Sequence, residues 1–168
     1  MDLLLMIDYI LTLIVFLSLW VALKRANRSL ATIALLLQCV SITIYFASTA
    51  AFEMLNLSRL YATSNSNTEK VIFLASGQTM FSIYQGTAFN VSYVLACIAL
   101  VTMSVVMIKS KVFSKRTSYL GLIAGILMIL PPTAGTIGIV ISFLSLIPTI
   151  PWLILIARRF FYFSRSTP

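Results

Sequence analysis

The sequence predicts an all-α fold, a polytopic membrane helix bundle of five transmembrane helices with one more helix lying at the outer interface. Three observations lead there. Sixty per cent of the residues are hydrophobic and 10% charged, with a mean hydropathy of +1.03, so too few polar side chains remain to wet the surface of a soluble domain. The apolar residues come in runs of about 20 or more, the length that crosses a hydrocarbon core of about 30 Å. The cations stand in short clusters between those runs, and together they bring the net charge to +8. A soluble protein with that charge would invite a nucleic-acid reading, but here the pattern is one of topological anchoring and no nucleic acid is expected. The partner expected is the lipid bilayer and, within it, a second copy or another membrane protein.

A single transmembrane domain is expected over 1–168. The first span runs over 3–23 and is closed by Lys24, Arg25 and Arg28; it lacks a basic start and a small-residue cleavage site, so it reads as a retained span rather than a signal peptide. The second runs over 30–55. The third covers 87–108 and is closed by KSKVFSKR, residues 109–116. The apolar run that follows is broken at 131–138 by PPTAGTIG. Two prolines followed by two glycines end a helix and reverse the chain, giving spans at 118–131 and 137–157. The aromatics and cations of RRFFYF, from Arg158, suit an inner-interface anchor.

The stretch VIFLASGQTMFSIYQGTAFN, residues 71–90, is long enough to cross and carries no charge. With five spans, ten cations share one side, facing Arg59 and Lys70; a sixth crossing still leaves nine against three, so charge favours five only slightly. Polarity decides more firmly. Ten of the twenty positions are polar or glycine, including Gln78, Gln85 and Asn90, a poor match to hydrocarbon. A helix over 67–85 at the outer interface, hinged near Gly86, is the expectation. Its start is signalled by Ser66-Asn67-Thr68-Glu69, the S-x-x-E spacing of a capping box.

Polar residues converge on the second span. Gln38, Ser41, Tyr45, Thr49, Glu53 and Asn56 recur at intervals of three and four, which puts them on one face of a continuous helix. That face either packs against other spans through interhelical hydrogen bonds or lines a cavity with its outer half. All four acidic residues, Asp2, Asp8, Glu53 and Glu69, fall on the outer half. Asp8, sixteen residues from Lys24, sits about 24 Å above the inner boundary. There it either snorkels to the surface or faces a partner or water. The candidate site is an outward-facing polar pocket of Asp8, Tyr45, Glu53, Gln85 and Asn90.

Catalytic and cofactor chemistry find little support. With no histidine in the chain, the usual general base and the commonest metal ligand are missing. No hydrolase, zinc-protease, C-x-x-C or phosphate-loop motif occurs. No catalytic residue, metal site or cofactor is therefore assigned. Cys39 and Cys97 both lie near mid-bilayer and read as small buried hydrophobes, a redox pair being the alternative if their helices are neighbours. Gly121 and Gly125 form a GxxxG pattern that lets another helix approach closely, within the monomer by preference or else across a dimer.

The segments NRSL, YFASTAAFEMLNLSRLYA, SGQTMFSIYQGTAFNVSYVL, SVVMIKSKVFSK and ARRFF resemble a prokaryotic multi-pass membrane family, domain of unknown function 4386, over residues 27–163. The resemblance implies a bacterial or archaeal membrane protein and supplies no activity, ligand or catalytic residue. It also implies, for typical members, a further apolar segment ahead of the run at 3–23. The expectation for this chain is a cell-membrane protein with its amino terminus outside and carboxyl terminus in the cytoplasm. In function it is expected to be a non-enzymatic accessory or sensing subunit; the alternative is a small oligomeric transporter or channel subunit.

Overall fold

The computed structural model describes residues 2–166, and among these all regular structure is helical. The order is α1 (Asp2–Leu23), α2 (Arg28–Ser48), α3 (Ala51–Thr63), α4 (Asn67–Tyr84), α5 (Thr87–Lys109), α6 (Lys115–Leu127) and α7 (Gly135–Ser166). The reversals are made by the residues that sequence chemistry would choose. Asn27 caps α2 by accepting from the Leu30 N–H at 3.1 Å, and Ser114 caps α6 by accepting from the Thr117 N–H at 3.2 Å. Between α6 and α7, Pro131 and Pro132 follow the end of α6, and Gly135 takes φ +78°, a left-handed conformation that costs a residue without Cβ little. Gly138 then packs so closely on the turn that a Cβ would stand 2.2 Å from the Pro131 carbonyl oxygen.

Five helices, α1, α2, α5, α6 and α7, run alternately between two ends. At one end, Arg159 Nε of α7 donates to the Val112 carbonyl at 2.7 Å, and Phe113 meets Phe160 edge-on. At the other, Tyr9 of α1 stacks on Tyr45 of α2, and the Thr133 hydroxyl donates to Asn90 Oδ1. The α2–α5 pair forms the largest interface; α6 packs between α5 and α7, and α1 leans on α2. Leu19, Leu23, Met103, Val106 and Met107 fill the interior with no solvent exposure. Small residues bring the backbones together. A Cβ on Gly121 would strike Ser104 Oγ and Trp152 Nε1 at 2.5 Å, and one on Gly125 would strike the Val101 side chain at 2.7 Å. The GxxxG pattern thus serves packing within the chain, the preferred of the two uses its spacing allows.

The helix expected over 30–55 is instead two helices. Ser48 and Thr49 end α2: the Ser48 hydroxyl donates to the Tyr45 carbonyl at 2.8 Å and the Thr49 hydroxyl to the Phe46 carbonyl at 2.8 Å. These side chains replace the amide donors that a continuing helix would supply. α3 and α4 then form a hairpin attached to the bundle at Thr49–Ala50 and Gln85–Gly86, packing mostly on each other and burying no residue. The hinge at Gly86 is as expected, and a Cβ there would sit 2.9 Å from the Ile83 carbonyl oxygen. Helix α4 also starts where S-x-x-E places it, but Ser66 makes no side-chain cap. Ser64 acts instead, its hydroxyl donating to Glu69 Oε2 at 2.7 Å and accepting from the Ser66 N–H at 3.2 Å.

Among the described residues, four stretches are long and apolar enough to cross a membrane: Leu3–Leu23, Arg28–Thr63, Asn67–Lys109 and Gly135–Arg165. The second and third each contain one of the breaks just described. Helix α6, expected as a span over 118–131, has 13 residues and a length of about 20 Å, less than the hydrocarbon thickness by itself.

Candidate functional site

The end of the bundle that carries the hairpin is built from aromatic rings and hydroxyls. The Tyr9 and Tyr45 rings stack with centroids 4.0 Å apart. Phe89 lies 6.4 Å from Tyr45, 6.2 Å from Tyr84 and 6.2 Å from Tyr93, so one ring of α5 joins α2 and the end of α4, and Tyr45 carries the cluster on to α1. Beneath the rings, the Ser41 hydroxyl donates to the Ser92 carbonyl at 2.7 Å. Tyr93 and Ser142 share a hydrogen bond of 3.3 Å between α5 and α7. Asn90 Nδ2 donates to the Gly86 carbonyl at 2.9 Å while its Oδ1 accepts from Thr133. That one side chain ties the start of α5 to the α6–α7 turn.

The five residues of the expected pocket fall in different places. Tyr45 is at the centre of the ring cluster, 1% exposed, and Asn90 is at its rim. Asp8 is exposed on α1, beside Tyr9. Glu53 is exposed on α3, and Gln85, also exposed, caps α4. The polar face divides the same way. Gln38, Ser41 and Tyr45 are buried against neighbouring helices, Thr49 ends the helix, and Asn56 is exposed on α3. The face argument assumes an unbroken helix, and the hydroxyl caps at Ser48 and Thr49 break it.

Grooves open on the surface of the described residues, and three of these grooves bear on function. The first, about 330 Å³, lies inside the hairpin between Met54, Leu57 and Tyr61 of α3 and Phe73, Leu74 and Phe81 of α4. The other two flank the α5–α6 linker at the opposite end. One, about 720 Å³, is bounded by Lys24, Arg25, Lys111, Phe160 and Phe163; the other, about 510 Å³, by Lys111, Thr117, Arg158, Arg159 and Tyr162. None of the five expected pocket residues lines any of these three.

The family model described as a domain of unknown function, DUF4386, matches residues 3–160. The chain belongs to that family. No curated protein and no solved structure matches it.

Several residues of this DUF4386 chain that join helices were not singled out by sequence reasoning: Tyr9, Phe89, Ser92, Thr133 and Ser142. The spacing of Phe89 and Tyr93, four apart, was a usable signal, since i and i+4 share a helix face. Two buried polar atoms, Ser104 Oγ and Trp152 Nε1, have no hydrogen-bond partner among the described residues and both border Gly121. Neither cysteine is in a disulfide; the Cys97 thiol donates to the Gly125 carbonyl at 2.9 Å, which ties α5 to α6. No cluster of potential metal ligands occurs among the described residues.

Proposed function

We propose that the protein is a multi-pass cell-membrane protein with five crossings, four made by α1, α2, α5 and α7 and the fifth by the short α6 together with the turn over 128–134, with the amino terminus outside and the carboxyl terminus in the cytoplasm. Its role in this reading is that of a non-enzymatic accessory or sensing subunit, which presents the α3–α4 hairpin to another membrane protein at the outer leaflet. Three basic clusters at one end of the bundle, the α1–α2 turn, the α5–α6 linker with the start of α6, and the last part of α7, and the tyrosine-rich, acidic side at the other support the orientation. The observation that carries the functional reading is the hairpin itself. It buries none of its residues and holds Phe52 65%, Val71 66% and Ile83 63% exposed. An apolar surface that a chain leaves uncovered suits lipid or a partner helix.

A second reading, a small oligomeric transporter or channel subunit using Asp8, Tyr45, Glu53, Gln85 and Asn90 as an outward-facing pocket, draws support from the polar outer end. It is less favoured because Leu19, Met103 and Tyr45 fill the bundle interior, so a path would have to form between copies. Photo-crosslinkers placed at Phe52 and Ile83 in native membranes are expected to give one discrete protein adduct, and reconstituted liposomes to pass no solute or ion. Flux that disappears on Asp8→Asn or Glu53→Gln substitution would overturn the accessory role. A reporter fused after Lys111 should read cytoplasmic; an external signal would reverse the orientation.

A further inference from the structure

The basic end of the bundle carries more than scattered anchoring charges. Lys24 and Arg25 from the α1–α2 turn and Lys111 from the α5–α6 linker converge on the rim of the groove of about 720 Å³, whose far wall is Phe160 and Phe163 of α7. That volume lies within the range of about 300–1,000 Å³ typical of small-molecule clefts. Two separate elements contribute the cations, the α1–α2 turn and the α5–α6 linker, and all four side-chain carboxylates of the protein belong to α1 upstream of Tyr9 or to the hairpin. Lys24, one of the lining residues, also rests over the Trp20 ring, its ammonium 5.1 Å from the centroid. A second feature continues from the groove. Ile10, Ile14, Leu17 and Val21 of α1 are 48%, 53%, 44% and 56% exposed and recur at intervals of three and four, so they form one apolar stripe. Val21 also lines the groove. The stripe covers about 17 Å at 1.5 Å per residue, a reach comparable with one leaflet.

We infer that this groove is a binding site for an anionic glycerophospholipid, with the phosphate held by Lys24, Arg25 and Lys111 and an acyl chain laid along the α1 stripe. Cations on a rim with an apolar floor match a lipid's two ends, since the phosphate takes charge-assisted hydrogen bonds and the chain takes dispersion contacts. A soluble phosphate compound would leave the stripe and the two phenylalanines without a partner. The inference rests on the membrane reading above but not on its orientation, because the same site could serve either leaflet.

The test is native mass spectrometry and thermal melting of the full chain in a neutral detergent. The probes are phosphatidylglycerol, phosphatidylcholine with matched chains, and inorganic phosphate. Phosphatidylglycerol is expected to be retained and to raise the melting point, the other two not. A Lys24→Gln/Lys111→Gln variant, altered at two exposed positions that leave the core intact, should hold phosphatidylglycerol about thirtyfold more weakly, since each Lys near an anionic headgroup is worth about 1 kcal/mol and every 1.4 kcal/mol is tenfold. Lys115→Gln/Arg116→Gln removes the same charge from exposed positions lining neither basic groove and should behave as the unaltered chain. Equal retention of both lipids, equal loss in both variants, or displacement by inorganic phosphate alone would each overturn the site. An external reporter after Lys111 with lipid retention intact would overturn the orientation and leave the site standing.

Discussion

The bundle and the α3–α4 hairpin are made of similar apolar residues, yet one buries them and the other does not. Phe52, Leu55, Val71 and Ile72 are as hydrophobic as Leu19, Val106 and Met107, but the first four are at least half exposed and the last three fully enclosed. Side-chain size separates the two regions. The bundle interfaces carry Ala31, Ala34, Ala99, Gly121, Ala124 and Gly125 at positions of close approach, whereas Gly77 of the hairpin has nothing within 4 Å of where a Cβ would be. Helix hydroxyls that reach another helix belong to the bundle, although Ser18, Thr43 and Thr102 there bond back to their own helix. Ser41 and Tyr93 bond to other helices, while Thr63, Thr79 and Ser82 bond back to their own helix. In lipid, apolar side chains gain little by leaving their surroundings, so close backbone approach and interhelical hydrogen bonds decide what packs.

Truncation should expose this difference most. Met103→Ala, at a position with no exposure, opens a cavity that the bundle cannot fill and should cost about 2–5 kcal/mol. Ile83→Ala, at a position 63% exposed, should stay within about 0.5 kcal/mol. Melting midpoints in detergent measure both, and equal losses would break the distinction between the two regions. Glycine replacement comes next. Gly121→Ala forces a methyl group into Ser104 and Trp152 and should cost about 1–3 kcal/mol. Gly77→Ala meets open space and should gain about 0.5–1 kcal/mol, because alanine loses less backbone freedom than glycine in a helix. Opposite signs for two glycine-to-alanine changes are hard to produce by any general effect of detergent.

The sequence was most legible where a residue acts on its own backbone. Pro131, Pro132 and Gly135 reverse the chain where expected, Gly86 marks the hinge, and the helix over 67–85 appears within a residue as α4. Family membership was legible too, through runs of residues such as SGQTMFSIYQGTAFN. The second span differs from the expectation because Ser48 and Thr49, polar but compatible with a helix, end it through hydroxyl bonds to the Tyr45 and Phe46 carbonyls, which no residue pattern marks. Once the helix breaks there, Glu53 and Asn56 no longer share a face with Gln38, Ser41 and Tyr45. The ring cluster was hidden for a different reason. Tyr9, Tyr45 and Phe89 come from α1, α2 and α5, and the register between helices is set by packing that a single sequence does not encode locally.

The smallest effect expected is at the far tip of the hairpin, and it tests whether that region folds as a unit of its own. Ser64 accepts from the Ser66 N–H and donates to Glu69, both on an exposed turn. Water competes for the same atoms, so Ser64→Ala should cost about 0.5 kcal/mol, the lower part of the range for a lost helix cap. Local opening free energies differ across a structure, and a cap acts only on the turn it holds. Amide hydrogen exchange should therefore quicken about twofold at Thr68–Lys70 while the amides of α5 and α6 and the melting midpoint stay unchanged. Faster exchange at Met103 or Ala124 would mean that the hairpin and the bundle open together. Their unequal burial would then record only where each sits, since a single cooperative unit would hold both.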